Sequence, residues 1–236
     1  MRYSIYFTPP ERDPLTRLAA SWLGRDPFTG EATTPLAVPP LSASEVAFHT
    51  AAARRYGFHA TLKAPFRLAA GESEETLVEA FEAFCARMDA FTAPPLTPRR
   101  LDGFTALVPA GRSEALDGLA GAVVTAFERF RAPMTDAEIE RRNPDRLTPD
   151  QLKNLHQWGY PYVFGSFRFH MTLTGRIAEA EAPRVFAAID SHFGSVLDKP
   201  LRVASLALFT EPEPGAPFTV RAIAGLGRQT LNRKTA

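Results

Sequence analysis

Apolar positions along this chain recur with period two in some runs and with helical spacing in others, and the switches between the two periods divide it into elements. Arg2-Tyr3-Ser4-Ile5-Tyr6-Phe7 reads as a strand, ended by Pro9-Pro10. Asp13-Pro14 supplies an N-cap and a first-turn proline for a helix with Leu15, Leu18, Ala19 and Trp22 on one face, and Gly24 closes it. A proline-rich loop from Asp26 to Pro40 leads into a short helical segment at Ser42 to Arg54. Tyr56 to Phe66 has strand character. Ser73 then opens a helix whose first turn holds Glu74 and Glu75, where acids favour the dipole. Its apolar stripe runs Leu77, Val78, Phe81, Phe84, Cys85, Met88 and Phe91 before Pro94-Pro95. Thr97 to Leu101 and Phe104 to Val108 form a hairpin about Asp102-Gly103, and Ser113 to Arg131 is helical with Leu116, Leu119, Val123, Phe127 and Phe130 inward.

A polar stretch, residues 133–159, interrupts this pattern with charges and with Asn143-Pro144 and Thr148-Pro149; it has room for two short helices and reads as an inter-lobe insert or lid. Tyr162 to Thr174 is a second strand pattern, followed by a helix at Ala180 to Phe193 and a hairpin of Leu201 to Phe209 with Phe218 to Leu226. Asn232 to Ala236 reads as a frayed polar tail. After each of the two long strand patterns the order is the same: helix, strand, turn, strand. That repeat predicts an α+β fold in which two lobes are related by a pseudo-two-fold. Two mainly antiparallel sheets would face a central groove with helices packed outside. Residues 1–236 are expected to form one such domain.

With 236 residues, 45% hydrophobic and 22% charged, the chain is long enough and apolar enough for a substantial core. The formal net charge of +1 provides no global field for long nucleic acid or an anionic membrane. Cys85 is the single cysteine, so an intrachain disulfide is excluded, and its place on an apolar stripe marks a buried thiol. No apolar run reaches membrane-spanning length and the start carries no charged-then-apolar leader pattern, so a cytoplasmic monomer is expected.

The two long strand patterns carry the chemistry. Each contains a His-x-Thr-Leu string: His59-Ala60-Thr61-Leu62 and His170-Met171-Thr172-Leu173. A shuffled chain of this composition would hold two on the order of one time in a thousand. Strand alternation puts Phe58, Ala60, Leu62 and Ala64 on one face and Gly57, His59, Thr61 and Lys63 on the other. In the second strand Phe167, Phe169, Met171 and Leu173 oppose Ser166, Arg168, His170, Thr172 and Thr174. Polar faces of this kind line solvent or a cleft, since burial without partners is costly. A plain solvated sheet face would explain the threonines. It explains less well the repeated His-to-Thr order with cations on the same face. Two imidazoles and two hydroxyls are the parts needed for acid–base chemistry on a phosphate ester.

The two motifs resemble the signature of the 2H phosphoesterase superfamily. The strings Arg2-Tyr3-Ser4-Ile5-Tyr6-Phe7, Trp22-Leu23-Gly24-Arg25-Asp26, Tyr56-Gly57-Phe58-His59-Ala60-Thr61-Leu62-Lys63 and Phe167-Arg168-Phe169-His170-Met171-Thr172-Leu173-Thr174-Gly175 resemble, more narrowly, a bacterial branch encoded near phosphonate-degradation genes. The resemblance implies a bilobal fold with the motif strands facing each other across a groove. It also implies a metal-independent phosphodiesterase that needs no cofactor and acts on a small, cyclic nucleotide or sugar phosphodiester. His59 and His170 would be the acid–base pair. Thr61, Thr172, Lys63 and Arg168 would bind the phosphate, and Tyr3, Tyr6, Arg54 and Tyr56 would line the groove. His49, His156 and His192 lack the motif, and neither a His-Glu-x-x-His metal spacing nor a glycine-rich phosphate loop occurs.

Two alternatives stay open at this stage. One is an RNA enzyme of the same superfamily, a 2′,3′-cyclic phosphodiesterase or an RNA-end ligase, which would want a basic approach surface and exposed aromatics. The other is a non-catalytic protein that binds a phosphorylated metabolite in the same groove.

Overall fold

Every sheet among the described residues is antiparallel, and both histidine motifs lead into edge strands. The computed structural model describes residues 1–34 and 36–227. The strands are β1 (Arg2–Phe7), β2 (Ala60–Phe66), β3 (Phe91–Ala93), β4 (Leu96–Leu101), β5 (Phe104–Pro109), β6 (Met171–Arg176), β7 (Leu201–Val203), β8 (Ser205–Glu211) and β9 (Thr219–Gly225). The helices are α1 (Pro14–Leu23), α2 (Ala43–Arg54), α3 (Glu74–Cys85), α4 (Glu114–Ala126), α5 (Asp136–Glu140), α6 (Pro149–Trp158) and α7 (Ala182–Leu197). The tail expected at Asn232 to Ala236 lies outside the described residues.

The repeat is visible as β2-α3-β3-β4-β5 followed by β6-α7-β7-β8-β9. The two halves exchange partners. One sheet runs β2-β1-β8-β9, so the hairpin that follows the second motif extends the sheet of the first. The other runs β4-β5-β6, so the hairpin after the first motif completes the sheet of the second. The equivalent strands β3 and β7 pair with each other, Thr92 opposite Arg202.

The ends of elements follow local chemistry. Asp13 caps α1 by accepting from the Leu15 amide at 2.8 Å, and Gly24, at φ 78°, closes it in the left-handed region. Ser73 opens α3, as its spacing predicts, but the helix stops at Cys85 rather than continuing to Phe91. Phe91 is recruited into β3 against Val203, and that pairing outweighs helical spacing. The hairpin strand expected at Leu201 to Phe209 splits for the same reason, into β7 and β8.

Among the described residues a small core holds Tyr6, Ala207, Phe209 and Phe218, and a larger one packs the helices onto the sheets, with Ile5, Leu77, Phe81, Met171, Leu173, Ile189 and Phe193 fully buried. Cys85 sits within it, and burial pushes its thiol up to about 12. Trp22 on α1 donates its Nε1–H to the Leu173 carbonyl at 2.9 Å, tying the first helix to the second motif strand. Among the described residues no helix is long and apolar enough to cross a membrane.

Candidate active site

His59 and His170 each occupy the residue immediately before a motif strand, because the ladders begin only at Ala60 and Met171. Both rings, with Thr61 and Thr172, line one open cavity of about 230 Å³. The two imidazoles are wired alike. His59 Nδ1 lies 3.0 Å from the Gly57 carbonyl and His170 Nδ1 lies 2.8 Å from the Arg168 carbonyl, two residues back in each case. A carbonyl only accepts, so each Nδ1 carries the proton and each Nε2 holds the lone pair. The Thr61 hydroxyl donates to His59 Nε2 at 3.2 Å.

Local backbone explains the first of these bonds. Gly57 has φ +74°, and a Cβ added there would lie 2.6 Å from Pro27 Cβ. Only glycine meets both constraints. The His59 ring stacks on Tyr6, with centroids 3.9 Å apart and planes at 27°, and Tyr56 stacks in turn on Phe218.

Electrostatics keeps both rings neutral in the free protein. Burial lowers His59 to about 4, with the nearby His170 adding to the effect and the Gly57 carbonyl opposing it. Burial lowers His170 as well, against the pull of the Arg168 carbonyl. Burial also holds the Tyr6 phenol in its protonated form. Among the described residues no three His, Cys, Asp or Glu side chains gather to hold a metal ion.

Of the residues expected at the groove, His59, His170, Thr61, Thr172, Tyr6 and Tyr56 line it. Four do not. Lys63 is turned into the core by β-bulges between β1 and β2: Tyr6 pairs with Thr61, but the next residue, Ile5, pairs with Lys63. Cross-strand partners share a face, so Thr61 joins Tyr6 at the groove and Lys63 joins buried Ile5. Its ammonium meets Glu128 at 2.8 Å and the Val124 carbonyl at 3.2 Å, and burial lowers its pKa. Arg168 lies ahead of the ladder, where strand alternation does not operate. Its exposed side chain lines a different cavity with Leu101, Val108 and Phe167, and only its carbonyl serves the site. Tyr3 sits on the opposite face of β1 from Tyr6. It is buried, and its hydroxyl donates to Glu74 at 3.0 Å. Arg54 binds the Leu23 carbonyl at 2.6 Å and the Ala47 carbonyl at 2.9 Å, joining α1 to α2.

Arg2, Ala64, Pro65, Arg142 and Tyr160 complete the groove wall without having been expected there. Arg2 was legible, since it shares strand parity with Tyr6. Arg142 and Tyr160 come from the 133–159 stretch and its exit, which brings no periodicity to read. Of the other histidines, His49 and His192 face helices, His192 Nε2 lying 2.8 Å from the Leu18 carbonyl.

Residues 61–219 match the model of a family described as a protein of unknown function (DUF1045). The chain belongs to that family. This DUF1045 chain is 41% identical over 221 residues to a Janthinobacterium sp. (strain Marseille) protein named ribose 1,5-bisphosphate phosphokinase PhnN, covering 92% of this chain and 49% of that one. A Laribacter hongkongensis (strain HLHK9) protein of the same name is 38% identical over 218 residues, covering 92% and 50%. The chain thus spans about half the length of the curated relatives it matches. Among solved structures, it is similar to E. coli LigT complexed with 3′-AMP (15% identity, 95% and 97% covered, TM-score 0.45) and to TT0787 of Thermus thermophilus (18% identity, 97% and 98% covered, TM-score 0.45).

Proposed function

We propose that this protein is a 2H-type phosphodiesterase that hydrolyses a small cyclic phosphodiester by two-histidine acid–base catalysis. The observation that carries the reading is the duplicated wiring: two imidazoles, each fixed by its own i−2 carbonyl, present Nε2 to one cavity beside two threonine hydroxyls. In the reaction one neutral Nε2 takes a proton from water as its oxygen bonds to phosphorus. The other, as imidazolium, gives its Nε2 proton to the alkoxide as the P–O bond to it breaks. Both rings are neutral in the free protein, so the anionic substrate itself supplies the bias: a phosphate between them favours one imidazolium. Thr61 and Thr172 donate to the non-bridging oxygens as charge gathers there.

The ring bearing Nδ1–H keeps its carbonyl bond in both protonation states, so orientation is held through the cycle. Tyr6 supports the His59 ring and Tyr56 closes the wall beside it. The 133–159 stretch acts as a specificity insert through Arg142. The kinase step in the relatives' name is not proposed for this chain, which carries no glycine-rich phosphate loop. Their shared name supports a sugar phosphate as the substrate and agrees with a role in phosphonate breakdown.

The test is turnover of cyclic phosphodiesters with chelator present. His59→Ala and His170→Ala are each expected to lose about 10²–10⁴-fold while keeping a cooperative unfolding transition. Full activity in either variant contradicts the reading, as does abolition of wild-type activity by the chelator.

A further inference from the structure

The groove that holds the two histidines opens into a second cavity. The two share Arg2, Tyr56, Pro65 and Arg142 as a common wall. The second encloses about 190 Å³, and five arginines line it: Arg2, Arg67, Arg131, Arg141 and Arg142. Among the described residues Glu138 is its single lining carboxylate. Bringing five guanidinium groups to one concave surface is unfavourable unless anions compensate.

The compensation is incomplete. Arg2 leans on Glu211, Arg67 on Glu138 at 3.1 Å and Arg131 on Glu128 at 2.6 Å. Two of these carboxylates are already shared, Glu211 with Arg55 and Glu128 with Lys63. Among the described residues Arg141 and Arg142 have no carboxylate partner. Arg142 rests over the Tyr160 ring at 5.2 Å, and Arg141 donates only to the Ala137 carbonyl at 3.2 Å.

The paired arginines are also pre-set. The Glu211 side chain is fully buried, and although burial disfavours its charge, Arg2, the Gly215 amide and Arg55 hold it ionised. Arg2 is thereby fixed at the boundary between the two cavities. An arginine cluster with surplus charge, three of its members anchored by carboxylates, suits the dianionic oxygens of a phosphomonoester, which guanidinium groups grip in pairs.

We propose that this cavity is a second anion subsite, and that the substrate is a small phosphodiester which also carries a phosphomonoester away from the scissile bond. The substrate claim rests on the two-histidine reading; the binding of a second phosphate does not. One molecule would place its diester between His59 and His170 and its terminal phosphate among Arg67, Arg131, Arg141 and Arg142, with Arg2 touching both regions.

Calorimetric titration of the full chain with inorganic phosphate at low ionic strength tests the subsite. The wild type is expected to bind two phosphates, Arg67→Gln/Arg141→Gln, whose residues line the second cavity alone, one, and the exposed-charge control Arg112→Gln two. A second titration needs no variant: a nucleoside 2′,3′-cyclic phosphate against the same compound bearing a 5′-phosphate. The 5′-phosphorylated ligand is expected to bind the wild type at least ten-fold more tightly, an advantage that falls to within two-fold in Arg67→Gln/Arg141→Gln. Two phosphates retained by that double variant, or equal affinity of the two ligands for the wild type, overturns the proposal. Full turnover in His59→Ala and His170→Ala would instead defeat the two-histidine reading and leave the phosphate count standing.

Discussion

Burial decides the charge of individual side chains here, and the carbonyl or carboxylate each one meets opposes or relieves it. His59 is the clearest case. Its pKa falls from the ordinary 6.5 to about 4 on folding. The unfolded chain therefore binds more protons between those values, and stability contributed by the neutral ring is complete above pH 6.5 and lost as pH falls toward 4. Nuclear magnetic resonance titration should find the His59 midpoint near 4 in the free protein and higher with phosphate bound. A midpoint near 6.5 in the free protein would contradict the burial argument. Lys63 makes the opposite point. It is 3% exposed and held by Glu128, so Lys63→Met should cost about 1–3 kcal/mol of stability while leaving turnover within about two-fold. A large loss of turnover with unchanged stability would return Lys63 to the groove. Parity alone assigned Lys63 to the wrong face, because a bulge cannot be read from residue types. The same parity would have separated Tyr3 from Tyr6 had it been applied to β1.

Among the elements, the two turns that precede the motif strands do more than the strands themselves. The sequence pattern found both strands and their pairing with a following helix, yet extended each too far toward the N-terminus. His59 and His170 lie just ahead of the ladder, where a carbonyl can turn back onto its own chain's imidazole. Gly57 permits this by its positive φ and by the missing Cβ next to Pro27. Gly57→Ala should therefore destabilise by about 1–3 kcal/mol and lower turnover, with the His59 Nδ1–H resonance shifted. Unchanged turnover and an unshifted resonance would show that the glycine has no part in positioning. Such a turn was illegible beforehand because it depends on Pro27, far away in sequence. The insert's two short helices were legible, but the place of Arg142 was not: it falls between α5 and α6, where no periodicity aims it at the groove.

At the scale of the molecule, the duplication was readable as an order of elements, while the exchange of hairpins between sheets was not. Order along the chain says nothing about which edge a hairpin chooses. Because β8 lies between β1 and β9, and β5 pairs with β6, neither half can close its own sheet. We propose that the chain folds as one unit on this account. A fragment of residues 1–132 should then lack a cooperative thermal transition by circular dichroism. A sharp transition in that fragment would mean that the halves are independent. The groove between the motif strands exists only once both sheets are complete, which couples the chemistry to the whole fold.

The most direct measurement follows the ring nitrogens of both histidines by nitrogen-15 resonance while inorganic phosphate is added to saturation. The free protein should show two Nδ1–H tautomers, and phosphate should shift the Nε2 signals of His59 and His170 together with one affinity. Movement of only one ring, or of neither, would contradict a shared phosphorus site.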